Sequence, residues 1–261
     1  MGSFTSALAP DDSEEYYHIP SPQDVYEVRR YLLRFLPLEL ADQIIDDAQY
    51  WPVVSTSVDL HERVVENNSP LCCLVTPRLD NMILEDSFKV KAVRFLITSH
   101  DQGWASEDSF PTRYMGSWTW FEAAIVRSTN HPQESDELGL STARAIAALV
   151  KSGGSASHPD ISLVKNPENE NDSYTWHVQR NARASKSDEE HEVVWTIDDA
   201  GEEEDGVVDE RELMDKTGAG RGKGFVRSLE KGDRIVVLAY ARFPAWTNYI
   251  QRVEVQISFS V

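Results

Sequence analysis

A chain of 261 residues with 41% hydrophobic and 10% aromatic side chains carries enough apolar matter for a sizeable core, and 26% charged residues exclude a membrane-embedded protein. The 44 acidic residues against 25 basic ones give a formal net charge of −19. That surface repels phosphate backbones and anionic lipid, so neither nucleic acid nor membrane is expected as a partner.

Residues 1–22 are acidic and proline-punctuated and read as a disordered tail. The opening MGSFTS matches a myristoylation pattern on Gly2, but the acids that follow supply no basic second signal. Nothing there resembles a signal peptide, and the neighbours Cys72 and Cys73 cannot bridge without severe strain. A reduced compartment, cytoplasm or nucleus, is the expectation, and the sequons at Asn67 and Asn171 are then chance matches. Residues 23–55 form the predicted helical segment. Val25, Val28, Leu32 and Phe35 recur at three- and four-residue spacing, as do Leu38, Ala41, Ile44, Ile45 and Ala48, with Pro37 suited to a first turn and Pro52 to an end.

From about residue 70 the period becomes two. In KVKAVRFLITS, Val93, Phe95 and Ile97 alternate with Arg94 and Leu96; at the C-terminus Val253, Val255, Ile257, Phe259 and Val261 alternate with polar residues. SWTWFEAAIV, YTWHVQRNARA, EHEVVWTID and DRIVVLAYARF are β-rich in the same way. Strands joined without alternating helices predict a mainly β protein: N-terminal helices beside an antiparallel, jelly-roll-like β-sandwich over 70–261. Two surface insertions are expected, at 128–171, with a short helix in STARAIAALVKSGG closed by Gly153 and Gly154, and at 198–223.

The stretch SHDQGWASEDSFPTRYMGSWTWFEA, residues 99–123, concentrates the aromatics. Trp118 and Trp120 are two apart in a strand and share a face, for which the core is the favoured destination. Trp104 instead lies in a polar loop with His100, Asp101 and Gln102, and loops at a sandwich end commonly bind ligands. In RFPAWTN, Pro244 must interrupt the strands and brings Arg242, Trp246 and Asn248 into a second loop. These seven residues are the candidate ligand-binding set, an aromatic rim if the loops meet. GAGRGKGF lacks the Walker spacing and is followed by a strand-like FVRSL, which leaves a flexible turn. GEEEDGVVDERE places Gly206, Val208 and Glu212 as a calcium loop does but has Gly201 where the first carboxylate belongs, so a solvated acidic loop is favoured. No catalytic signature or metal-ligand spacing occurs, so no catalytic residue, metal or cofactor is assigned.

Leu36, Pro37, Glu39, Leu40, Ile44 and Ile45 resemble the first helix of an F-box, which implies docking to a ubiquitin-ligase scaffold as a substrate receptor. The segments SHDQGW, SWTWFEA and GFVRSLEKGDRIVVLAYARFPAWTNYIQRVEV resemble an uncharacterised group of fungal proteins, which implies a self-contained module. The leading expectation is a non-enzymatic binding or adaptor module that presents the aromatic rim to a protein partner. A carbohydrate-binding sandwich using the same aromatics comes second, ahead of an F-box-like receptor and an enzyme with dispersed catalytic residues.

Overall fold

The structure, a computed structural model, describes residues 19–65, 70–85, 87–105, 109–128, 140–154, 156–169, 173–198 and 209–261. Most of the N-terminal tail, Gly2 and Asn67, Asn171, and Gly201 to Val208 of the acidic stretch lie outside the described residues.

Two short helices come first among the described residues. In α1 (Pro22–Leu32), Ser21 accepts from the Asp24 amide while the Asp24 carboxylate accepts from the Ser21 amide, a reciprocal cap, and Pro22 sits where no donor is needed. Then α2 (Leu38–Asp47) follows Pro37. The pair buries Val25, Ala41 and Ile45 but leaves Tyr31, Phe35, Leu38, Leu40 and Ile44 exposed, so only part of the helical apolar stripe is used internally. Arg29 ties the pair down by bonding Asp42 at 2.7 Å and the Val261 carbonyl at 2.5 Å.

Among the described residues nine strands form two antiparallel sheets packed face to face. The first sheet has the order β1 (Val53–Val65), β9 (Thr247–Ser260), β3 (Lys89–His100), β7 (Glu189–Thr196). In the second, β2 (Leu71–Val75) pairs with β8 (Arg234–Ala241) and β8 with β4 (Thr119–Ser128). The far edge of β4 is shared: β6 (Thr175–Arg180) takes Trp120–Ala124 and β5 (Ile161–Leu163) takes Val126–Ser128. A strand therefore begins at Val53, inside the range read as helical. Its pattern of half-buried and exposed positions is that of an edge strand, with no apolar alternation strong enough to announce it.

The core lies between the sheets, where Val93, Phe95, Ile97, Val253, Val255 and Ile257 face Phe121, Ile125, Val178, Ile235 and Val237, all fully buried. The described residues of the segment read as a surface insertion at 128–171 belong to the fold. Within it, α4 (Leu140–Lys151) seats Ile146 and Leu149 on the outer face of the second sheet, against Ala124, Val126, Val236 and Leu238. GAGRGKGF is likewise no flexible turn. Gly220 lies so close to the His177 carbonyl that a Cβ would stand 2.2 Å from its oxygen, and at Gly222 (φ +64°) a Cβ would enter the Trp195 ring at 2.0 Å. The Trp195 indole N–H donates to the Gly220 carbonyl at 2.8 Å, and FVRSL then forms a helical turn, α6 (Phe225–Ser228), with Phe225 in the core.

At one end of the sandwich the sheets are joined by buried polar side chains. Ser99 donates to Asn181 Oδ1 at 2.7 Å, and Asn181 Nδ2 donates to Thr119 Oγ1 at 3.0 Å and to Asn248 Oδ1 at 2.9 Å. Asn248 Nδ2 reaches the carbonyls of Trp120 and Tyr240, each at 3.3 Å. Asn181→Ala, which strips partners from three buried groups, is expected to cost about 2–4 kcal/mol in a urea melt. A cost below about 1 kcal/mol would show that the groups re-pair without it.

Candidate functional site

Alternation along β4 places Phe121, Ala123 and Ile125 in the core, so Trp120 and Glu122 face outward. The expected core role of Trp118 and Trp120 is thus overturned: Trp118 is 37% exposed and Trp120 is half-buried. The pattern established that they share a face, but both faces of β4 carry large residues, and Phe121 took the inner one.

On this outer face α4 covers the Ala124–Val126 half of β4. Over the other half opens a cleft of about 450 Å³, with Trp118, Trp120 and Glu122 of the β4 region, His177 and Arg180 of β6, and Arg242 at its wall. Trp120 lies parallel on Tyr240, centroids 4.9 Å apart and planes 2° apart, because the two are register partners of β4 and β8. The Trp120 indole N–H donates to Glu122 at 2.8 Å. Tyr240 also donates to Glu122; burial, then the carboxylate charge and this bond, push its hydroxyl pKa well up. Trp118 meets Phe243 edge-on at 4.8 Å, and the Arg242 guanidinium stands 5.7 Å from each ring.

A β-bulge supplies the histidine. The pairing of Phe121 with Gln179 shifts so that Glu122 pairs with His177, leaving Val178 as the extra residue. Trp176 and Val178 go to the core and His177 comes out beside Glu122. His177 Nε2 lies 2.9 Å from the Gly218 carbonyl, and burial lowers its pKa to about 4, so the ring is neutral at pH 7.

The remaining wall comes from far along the chain. In α5 (Glu210–Thr217), Asp209 caps the N-terminus by accepting from the Arg211 amide, Glu212 pairs with Lys216, and Gly218 (φ +77°) ends the helix. The segment after it runs along β6, with Arg180 N–H donating to the Gly218 carbonyl and Gly220 N–H to Val178. This fixes Arg211, Met214 and Asp215 at the cleft. Asp215 binds Arg180 at 2.7 Å, and its carbonyl accepts from the Thr112 hydroxyl, which ties down the 110–118 loop. The capping signals of α5 were present in DERELMDKTG, where the acidic run obscured them.

Of the seven candidate ligand-binding residues, only Arg242 lines this cleft. The two loops do meet: Gln102 Oε1 accepts from the Thr247 amide at 3.2 Å, and His100 stacks on Tyr249 at 4.6 Å. Two of their polar residues, however, are buried inside the fold. Asp101 is fully buried, accepting from the amides of Gly103 at 2.7 Å and Ala184 at 2.6 Å, and its pKa is raised by burial. Asn248, also fully buried, serves the inter-sheet network and cannot touch a ligand. Trp104 is 52% exposed and Trp246 half-buried. Among the described residues no three His, Cys, Asp or Glu cluster as metal ligands, and no helix is long and apolar enough to cross a membrane.

The two faces of β4 are separable by mutation. Phe121→Ala is expected to cost about 3–5 kcal/mol and Trp118→Ala less than about 1.5 kcal/mol in denaturant melts; equal losses would return Trp118 to the core. His177 makes a second expectation. Between pH 6.5 and about 4 the unfolded chain binds a proton that the folded chain refuses at this position. The contribution is complete above pH 6.5 and lost as pH falls toward 4, and His191, also lowered by burial, acts in the same sense. His177→Gln should therefore flatten the acid-side fall of Tm relative to the parent chain, and an unchanged slope would mean the imidazole is not held neutral. No protein-family model matches this chain, and no curated protein sequence matches it either.

Proposed function

We propose that this chain is a binding module whose outer-face cleft takes a saccharide unit. The observation that carries this reading is the combination of a concave site with aromatic walls and polar groups at fixed positions. Trp118 and Trp120 offer ring faces for the C–H side of a pyranose, while Glu122, Arg180 and Arg242 offer hydrogen bonds to its hydroxyls. A volume of about 450 Å³ suits a small ligand, where a protein partner would favour a flatter apolar patch. The carboxylates are already engaged, Glu122 by Trp120 and Tyr240 and Asp215 by Arg180, which favours holding a ligand over transforming one.

A glycan array probed with the parent chain and with Trp118→Ala tests this. Retention of particular glycans by the parent, reduced about tenfold or more in the variant, is the expected result. Retention of none would remove the saccharide reading.

The protein-adaptor reading keeps one specific support, the exposed Phe35, Leu38, Leu40 and Ile44 on the N-terminal helices, two of which fall on the F-box-like positions. If it holds, titration with the adaptor subunit of a ubiquitin-ligase scaffold gives saturable binding that Leu40→Asp abolishes. Absence of binding to the parent chain would end it.

A further inference from the structure

Building on the saccharide reading of the cleft, we infer that its ligand is acidic, a sugar bearing a carboxylate or sulfate held by Arg211 and Arg242 with the Ser117 hydroxyl beside them. Three guanidinium groups and two carboxylates line the cleft and its His177 is neutral, so the cleft carries a surplus positive charge in a chain whose net charge is −19. Arg180 is neutralised by Asp215. Arg211 and Arg242 have no carboxylate partner among the described residues; Arg242 is instead braced against the faces of Trp118 and Phe243, which orients the guanidinium without consuming its charge. A guanidinium so held keeps its forked donors for a planar or tetrahedral oxyanion.

Ser117 supplies an independent observation. It is 4% exposed, lines the cleft between Gly116 and Trp118, and its Oγ is the one buried side-chain polar atom without a hydrogen-bond partner among the described residues. Leaving a hydroxyl unpaired at a buried position is unfavourable, and a ligand oxygen seated at this wall supplies the missing partner. An anionic oxygen near Arg242, its neighbour across Trp118, answers both groups at once. The acidic surface elsewhere makes such a ligand selective for this spot, because it is repelled by the rest of the protein.

The experiment is an array holding matched neutral, uronate, sialylated and sulfated glycans, read at low and high salt with the parent chain, Arg211→Gln, Arg242→Gln and Trp118→Ala. The expected result is retention of acidic glycans, weakened by salt and by about tenfold or more in each arginine variant, and loss of all binding in Trp118→Ala. Equal retention of neutral glycans, or acidic binding that survives both arginine variants, overturns the acidic-ligand inference and leaves the saccharide reading standing. An array on which the parent retains nothing overturns both.

Discussion

Where the two sheets close over one another, Asn181 and Asn248 carry hydrogen bonds that no backbone ladder could make. Asn181 joins β3, through Ser99, to β4, through Thr119, and passes the chain on to Asn248 of β9. Asn248 then holds the carbonyls of Trp120 and Tyr240, the register pair whose rings are stacked at the cleft. Buried amides of this kind are costly unless fully paired, so the arrangement admits one relative placement of the sheets. The alignment of the aromatic pair follows from that placement.

The β4 strand serves two purposes because its faces are independent. Its inner residues complete the apolar core, and its outer residues divide into a half covered by α4 and a half left as the cleft. An outer face left wholly bare would be an apolar liability, whereas one covered throughout would leave no cleft. The division is set by what each half presents: Ala124 and Val126 accept a helix, while Trp120 and Glu122 form a hydrogen-bonded aromatic surface.

Elements distant in sequence complete the site through close backbone packing. The glycines after α5 allow the chain to cross Trp195 and lie along β6, and this crossing holds Arg211 and Asp215 at the cleft that Arg242 also lines. The bulge in β6 delivers His177 by the same kind of means, since one additional residue turns a side chain from one face of the sheet to the other. At the cleft Arg180 is paired with Asp215, while Arg211 and Arg242 have no carboxylate partner among the described residues.

The sequence by itself determined the fold class and most of its strands. Apolar alternation at Val93–Ile97 and Val253–Phe259 survives in one dimension because each strand has one dry face. It also determined that Trp118 and Trp120 lie together and that the HDQGW and FPAWTN loops interrupt strands. Only the tertiary structure decided which face of β4 is inside, because Trp120 and Phe121 are both large and aromatic and periodicity carries no sign. It decided too that Asp101 and Asn248 are buried supports, since a polar side chain in a loop or at a strand end reads the same whether it meets water or a neighbouring amide. The edge strand at Val53, the bulge at Val178 and the packed glycines after α5 depend on pairing partners far along the chain, and a pairing is a property of two segments that neither one records.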